Sequence, residues 1–130
     1  MFRLSKRADY GLIAMKHLAL HDEHAYSAPE IARTYNIPAE LMAKVLQRLV
    51  RNGLLESQAG PHGGYALARA PGKISLIEVL EALEGPIQLT PCEADDCEQL
   101  ELCSIRDPLR QVKQRMVSVL VDTTIEQLGH

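Results

Sequence analysis

The stretch SAPEIARTYNIPAELMAKVLQRLVRNG, residues 27–53, restricts the fold of this chain more than any other part of it. Ser27 and Glu30 have the spacing of a capping box, in which each side chain satisfies a free backbone N–H at a helix start, and Pro29 is tolerated in the first turn. The helix that follows, from about Ala28 to Tyr35, must stop at Asn36–Pro38, because proline disfavours helical geometry at the preceding Ile37. A further helix begins at once. Leu41, Val45, Leu46 and Leu49 form its apolar stripe, and Gly53 ends it. Two short helices joined by so tight a turn, the second of them well charged, make a helix-turn-helix pattern.

The next residues sharpen that reading. LLESQ and YALAR are short strand-like runs separated by AGPHGG, a loop rich in Gly and Pro. A helix-turn-helix followed by a small hairpin is a winged helix; the alternative is a helical domain with an ordinary surface hairpin. Residues 5–21 supply an earlier helix with Ser5 as N-cap and Leu12, Met15, Leu18 and Leu20 at helical spacing. SLIEVLEALEG gives another, with Ser75 and Glu78 as a second capping box and Gly85 as its stop. The last begins at Asp107 as N-cap and Pro108, and carries Leu109, Val112, Met116, Val119, Leu120 and Ile125 at helical spacing over about 20 residues. So long an amphipathic helix in so small a chain is expected to pack on a partner or on the first helix. The expected architecture is mainly α: a winged helix-turn-helix DNA-binding region over 1–73, a helix and cysteine-containing loop over 74–106, and a long C-terminal dimerisation helix over 107–130.

Charge is divided between these regions. Residues 1–73 carry ten Lys/Arg against six Asp/Glu, a balance of +4, and residues 74–130 carry four against eleven, a balance of −7. The first half therefore suits phosphate, although the whole chain is formally −3. With four Tyr, one Phe and no Trp, the chain lacks the aromatics of a base-stacking surface. No apolar run approaches the ~18 residues that cross a bilayer and the N-terminus lacks a signal-peptide core, so no membrane partner and a cytoplasmic location are expected.

On the second helix of the helix-turn-helix, Lys44, Gln47, Arg48 and Arg51 lie largely off the apolar stripe, and these types contact base edges and phosphates in the major groove. Glu40 near the helix start is suited to accept from cytosine N4. In the wing, Gly60, Gly63 and Gly64 would allow close approach to a phosphate backbone, and His62 stands at the tip. A short helix reads few base pairs. Specificity therefore calls for two copies on a palindrome, which again points to a homodimer on double-stranded DNA.

Cys92, Cys97 and Cys103 are the only cysteines, spaced C-x4-C-x5-C among Glu93, Asp95, Asp96, Glu98 and Glu101. Structural zinc prefers tighter pairs such as C-x2-C. A disulfide would leave one thiol over. An iron–sulfur cluster, with its iron atoms spread apart, accepts wider spacing. A single metal ion, redox thiols and inert cysteines stand beside it as alternatives. The five His are scattered along the sequence, and no grouping of catalytic type is present, so an enzyme is not expected.

The segments LSKRADYGL and GPHGGYALARAPGKISLIEVLEALEGPI, with the three-cysteine loop after them, resemble the Rrf-type winged-helix transcription regulators, the family that includes IscR-like and NsrR-like members. The start MFRLSKRADYG and the run EGPI are most similar to its SUF iron–sulfur assembly branch. The resemblance implies a homodimer with long helices packed together and a cluster near the interface. It implies Cys92, Cys97 and Cys103 as cluster thiolates. Asp9 matches the early aspartate that completes a 4Fe-4S cluster from the partner subunit in the nitric-oxide-sensing branch. The IscR-type 2Fe-2S site uses a histidine soon after the last cysteine, where this chain has Ser104, Ile105 and Arg106, so 4Fe-4S is favoured, with 2Fe-2S as the alternative. Ala59 replaces the wing arginine of many relatives. The function so implied is a homodimeric DNA-binding transcriptional regulator, of repressor type, that senses or carries an iron–sulfur cluster and controls iron–sulfur biogenesis genes. The rivals are a nitric-oxide, redox or iron-responsive regulator working through thiols or one metal, and an iron–sulfur scaffold or electron carrier.

Overall fold

The structure, a computed structural model, describes residues 5–61, 63–86 and 106–128. Its elements in order are α1 (Lys6–Leu20), α2 (Ala28–Tyr35), α3 (Ala39–Arg51), β1 (Leu55–Gln58), β2 (Gly64–Leu67), a 3-10 turn (Pro71–Lys73), α4 (Leu76–Glu84), α5 (Arg106–Asp122) and α6 (Ile125–Leu128). The helix starts follow from local chemistry. Ser5 accepts from the Ala8 N–H, and both Ser27/Glu30 and Ser75/Glu78 form complete capping boxes. Asn36 ends α2 in the left-handed conformation (φ 56, ψ 48), which its short polar side chain tolerates.

Met15, Ile31, Met42, Leu46, Leu49, Leu54, Ile74 and Leu83 are fully buried in one core under the helix-turn-helix. Each such side chain contributes about 1.5–3 kcal/mol on leaving water. Two expected core positions differ. Leu41 is 41 % exposed and Met42 takes its place at 0 %. Residues 42, 45, 46 and 49 are the set that recurs at one, three and four steps on a single helix face, and Leu41 falls about 100° away from Met42. Leu20, at the end of α1, is 50 % exposed while Ala14, Met15 and Leu18 pack inward.

β1 and β2 form the antiparallel wing, with Leu55 opposite Leu67 and Gln58 opposite Gly64. A third element joins them that the sequence reading did not contain. Tyr26 donates its N–H to the Tyr65 carbonyl at 3.1 Å and accepts the Tyr65 N–H at 2.7 Å. A Cβ on Gly64 would lie 2.4 Å from the Tyr26 backbone, and Gly64 has φ +147. The wing glycine therefore serves the close approach of two chain segments inside the fold.

The single C-terminal helix expected over about 20 residues is two helices. α5 begins at Arg106, so Asp107 is its second residue, and it ends at Asp122. Thr123 then donates from its hydroxyl to the Val119 carbonyl at 2.8 Å. Leu76 N–H donates to the Thr123 carbonyl at 2.7 Å and Ile125 N–H to the Ile74 carbonyl at 3.0 Å, a short antiparallel bridge that turns the chain back. Thr124 caps α6: its hydroxyl accepts from Gln127 N–H at 3.4 Å, and Gln127 Oε1 accepts from Thr124 N–H at 2.9 Å. Ile125 is wholly buried in the core. By contrast, no described α5 side chain is buried, and Val112, Val119 and Val121 are 44, 63 and 49 % exposed. Among the described residues no helix is long and apolar enough to cross a membrane.

Candidate nucleic-acid interface

The exposed face of α3 follows from its core face. On a wheel of about 100° per residue, Glu40, Lys44, Gln47 and Arg51 fall within about 60° of one another, opposite Met42, Val45, Leu46 and Leu49. All four are exposed. A cleft of about 310 Å³ between α3 and the wing is lined by Gln47, Val50, Arg51, Ser57 and Tyr65. Helix and wing thus present one continuous surface that carries Lys44, Gln47 and Arg51.

Arg48 stands apart from that stripe, about 60–80° round the wheel from its centre. Its Nη1 donates to the Leu83 carbonyl in the last turn of α4 at 3.4 Å. Arg7 Nη1 donates to the same carbonyl from α1, also at 3.4 Å, and the Ser5 hydroxyl donates to the Glu84 carboxylate. Helix C-termini leave carbonyls unsatisfied and carry partial negative charge, so two guanidinium groups there are favourable.

The wing residues divide. Gly63 donates its N–H to the Gly60 carbonyl at 2.9 Å and closes the hairpin loop, while Gly64 faces Tyr26. His62 lies outside the described residues. Asp9 is exposed on the first turn of α1. Cys92, Cys97 and Cys103 also lie outside the described residues, and among those described no group of three His, Cys, Asp or Glu side chains is placed to hold a metal ion.

The histidines are less scattered in space than along the chain. His17 is 6 % exposed, with Nδ1 at 2.8 Å from the Tyr35 hydroxyl, and Nε2 is buried with no hydrogen-bond partner among the described residues. Its ring centroid lies 4.6 Å from that of His21 and 4.7 Å, edge-on, from that of Tyr26, and the His24 ring lies 4.4 Å from Tyr26. Burial, followed by the neighbouring His21, lowers the His17 pKa from its ordinary 6.5. Tyr26 donates to Glu23 at 2.7 Å, and that bond pushes the Tyr26 pKa up to about 12. His17 lies in the last turn of α1, His21 is its C-cap and His24 follows beyond the helix, so helical period alone does not bring the three rings together.

A helix-turn-helix with a two-stranded wing, presenting a polar helix face beside that wing, defines a winged-helix DNA-binding protein. Residues 4–130 match the family model described as "Iron-dependent Transcriptional regulator", Rrf2, and the chain belongs to that family of DNA-binding transcriptional regulators. It is 30 % identical over 128 residues to the HTH-type transcriptional regulator IscR of Xenorhabdus nematophila, covering 97 % of this chain and 78 % of that protein. Among solved structures it is similar to CymR, the global cysteine regulator of B. subtilis (TM-score 0.79, 29 % identity, 99 % of this chain and 97 % of that chain). It is equally similar in shape to T. potens IscR (TM-score 0.79, 26 % identity, 98 % and 85 %).

Proposed function

We propose that the chain acts as a homodimer on palindromic double-stranded DNA, and that an iron–sulfur cluster held by Cys92, Cys97 and Cys103 sets its affinity for operators of iron–sulfur biogenesis genes. Glu40, Lys44, Gln47 and Arg51 would face the major groove, with Arg48 at their flank, and His62, Gly63 and Gly64 would bring the wing to the backbone. The observation that carries the reading is the pairing, in one chain, of the exposed α3 stripe with three thiols between α4 and α5.

The donor set fits a cluster. Three sulfur ligands are set wider than a zinc knuckle, and Asp9 offers an exposed carboxylate on α1 as a fourth ligand to the partner's site. When bound, a cluster would supply sensitivity to iron, oxygen or nitric oxide. The exposed valines of α5 supply apolar surface of the kind a second α5 would cover. The likeness to a global cysteine regulator favours a second reading, in which the same thiols respond by oxidation with no metal.

Anaerobic reconstitution with iron and sulfide separates the two. The expected result is brown protein with bound sulfide, lost in Cys97→Ala, and an altered or labile cluster in Asp9→Ala. Colourless protein whose DNA affinity changes only on thiol oxidation would establish the second reading instead.

A further inference from the structure

His17, in the last turn of α1, touches both connections that orient the DNA-reading elements. Its Nδ1 lies 2.8 Å from the hydroxyl of Tyr35, the last residue of α2, and the two rings meet edge-on at 5.4 Å. Only Asn36, Ile37 and Pro38 separate Tyr35 from the start of α3 at Ala39. The same ring lies 4.7 Å from Tyr26, whose backbone exchanges hydrogen bonds with Tyr65 of β2 at 3.1 and 2.7 Å. Tyr65 in turn lines the cleft between α3 and the wing, with Gln47 and Arg51. The His17 side chain is buried, and its Nε2 has no hydrogen-bond partner among the described residues.

We propose that His17 is a proton-sensitive joint: the neutral imidazole holds the turn before α3 and the wing in the arrangement that reads DNA, and its protonation loosens both and weakens binding. A neutral ring can meet the Tyr35 hydroxyl through Nδ1 in either tautomer and leaves one uncharged polar atom unpaired. An imidazolium carries two N–H donors, and the second would bring charge into a buried site that offers it no acceptor. The titratable groups around it are His21 on α1, Glu23, His24 and Tyr26 in the loop, and Glu30 and Tyr35 on α2. β2 meets this group through the backbone of Tyr65. Both carboxylates that could attract the proton are engaged. Glu23 accepts from the Tyr26 hydroxyl at 2.7 Å, and Glu30 accepts from the Ser27 N–H at 3.1 Å in the capping box that starts α2. Each way of accommodating the charge therefore disturbs a connection. Drawing in Glu23 releases Tyr26, drawing in Glu30 opens the α2 cap, and turning the ring to water breaks the Tyr35 bond. DNA that fixes the wing and α3 favours the neutral ring, so affinity falls by up to about tenfold per pH unit once the free protein takes up the proton. The inference needs only that the chain bind DNA, and is independent of what the cysteines hold.

The test compares affinity at pH 7.5 and pH 5.5 for a duplex that the protein selects from a random-sequence pool at the higher value. His17→Phe keeps the ring volume without the titration, and His17→Asn keeps a polar side-chain amide beside Tyr35. His21, His24, His62 and His130 are common to all three proteins, so their charge cancels in the comparison. Relative to either variant, the unmodified protein should lose on the order of five-fold or more in affinity between the two values, at a temperature where melting shows all three folded. Protection of the Tyr26 and Tyr65 amides from hydrogen exchange should fall over the same interval in the unmodified protein and hold in the variants.

The same pH dependence in the unmodified protein and the variants would overturn the joint, as would a loss of affinity with amide protection unchanged. Failure to select any duplex would sink the operator reading above instead. Amide protection, read without DNA, would then still decide whether His17 governs the wing.

Discussion

His17 shows how one buried side chain makes stability depend on pH. Its folded-state pKa lies below 6.5, because burial and the neighbouring His21 disfavour the imidazolium; Glu23 and Glu30 oppose this less strongly. The unfolded chain takes up a proton near 6.5 that the folded chain refuses, so stability is complete above that value and is lost as pH falls through it. Unfolding by urea between pH 7 and pH 5 should show that loss in the unmodified protein and much less of it in His17→Phe. Carboxylates whose pKa is lowered, such as Glu30 with its Ser27 backbone hydrogen bond, act below 4.5 and leave this window clear. Gly64 makes a steric argument at the same scale. A Cβ there meets Tyr26 backbone, which cannot rotate away as a side chain would. Gly64→Ala should cost about 1–3 kcal/mol and speed hydrogen exchange at the Tyr26 and Tyr65 amides.

At the scale of the element, the end of the chain is held by a cap and a bridge. Thr124 and Gln127 close the start of α6, and residues 74–76 pair with 123–125. Thr124→Ala removes the cap and should lower stability by about 1 kcal/mol. Ile125→Ala, at a wholly buried position, should cost about 2–5 kcal/mol. Chemical denaturation of both variants checks the order. Equal losses would show that the cap and the buried side chain do not act separately. The consequence for α5 is geometric. Its far end is fixed to the winged-helix core through Ser75 and Thr124, so an α5 packed in a dimer would be rigidly referred to the DNA-binding elements of its own chain.

At the scale of the whole molecule, the proposed function assigns the exposed apolar residues of α5 to a second chain and the polar stripe of α3 to DNA. Val112 and Val119 lie two helical turns apart on one side of α5. Val119→Asp should convert a dimer to monomers in sedimentation velocity without changing the melting of the winged-helix core. An unchanged sedimentation coefficient would move the interface elsewhere. DNA binding should weaken steeply with salt, and Lys44→Ala should reduce the slope of log K against log salt by about one if Lys44 meets a phosphate.

The local signals of the chain determined most of its elements. Ser5, the two Ser-x-x-Glu boxes, Ile37–Pro38 and the Gly-rich wing loop act within a few residues, so helix starts, the tight turn and the hairpin were legible before any packing was considered. The outward stripe of Glu40, Lys44, Gln47 and Arg51 was legible for the same reason, since helical period alone sets it. Tertiary structure decided the rest, because the interactions concerned join residues far apart in sequence. Arg48 reads as one more exposed cation until Leu83 offers it a carbonyl. Three histidines read as isolated until Tyr26 and Tyr35 fold around them. The long last helix reads as continuous, since Ile125 keeps the helical period, until pairing with residues 74–76 supplies hydrogen bonds that a straight helix would have kept to itself. Short-range chemistry fixes an element where its partners lie within a turn; where a donor can choose between a near and a distant acceptor, only the packed core makes the choice.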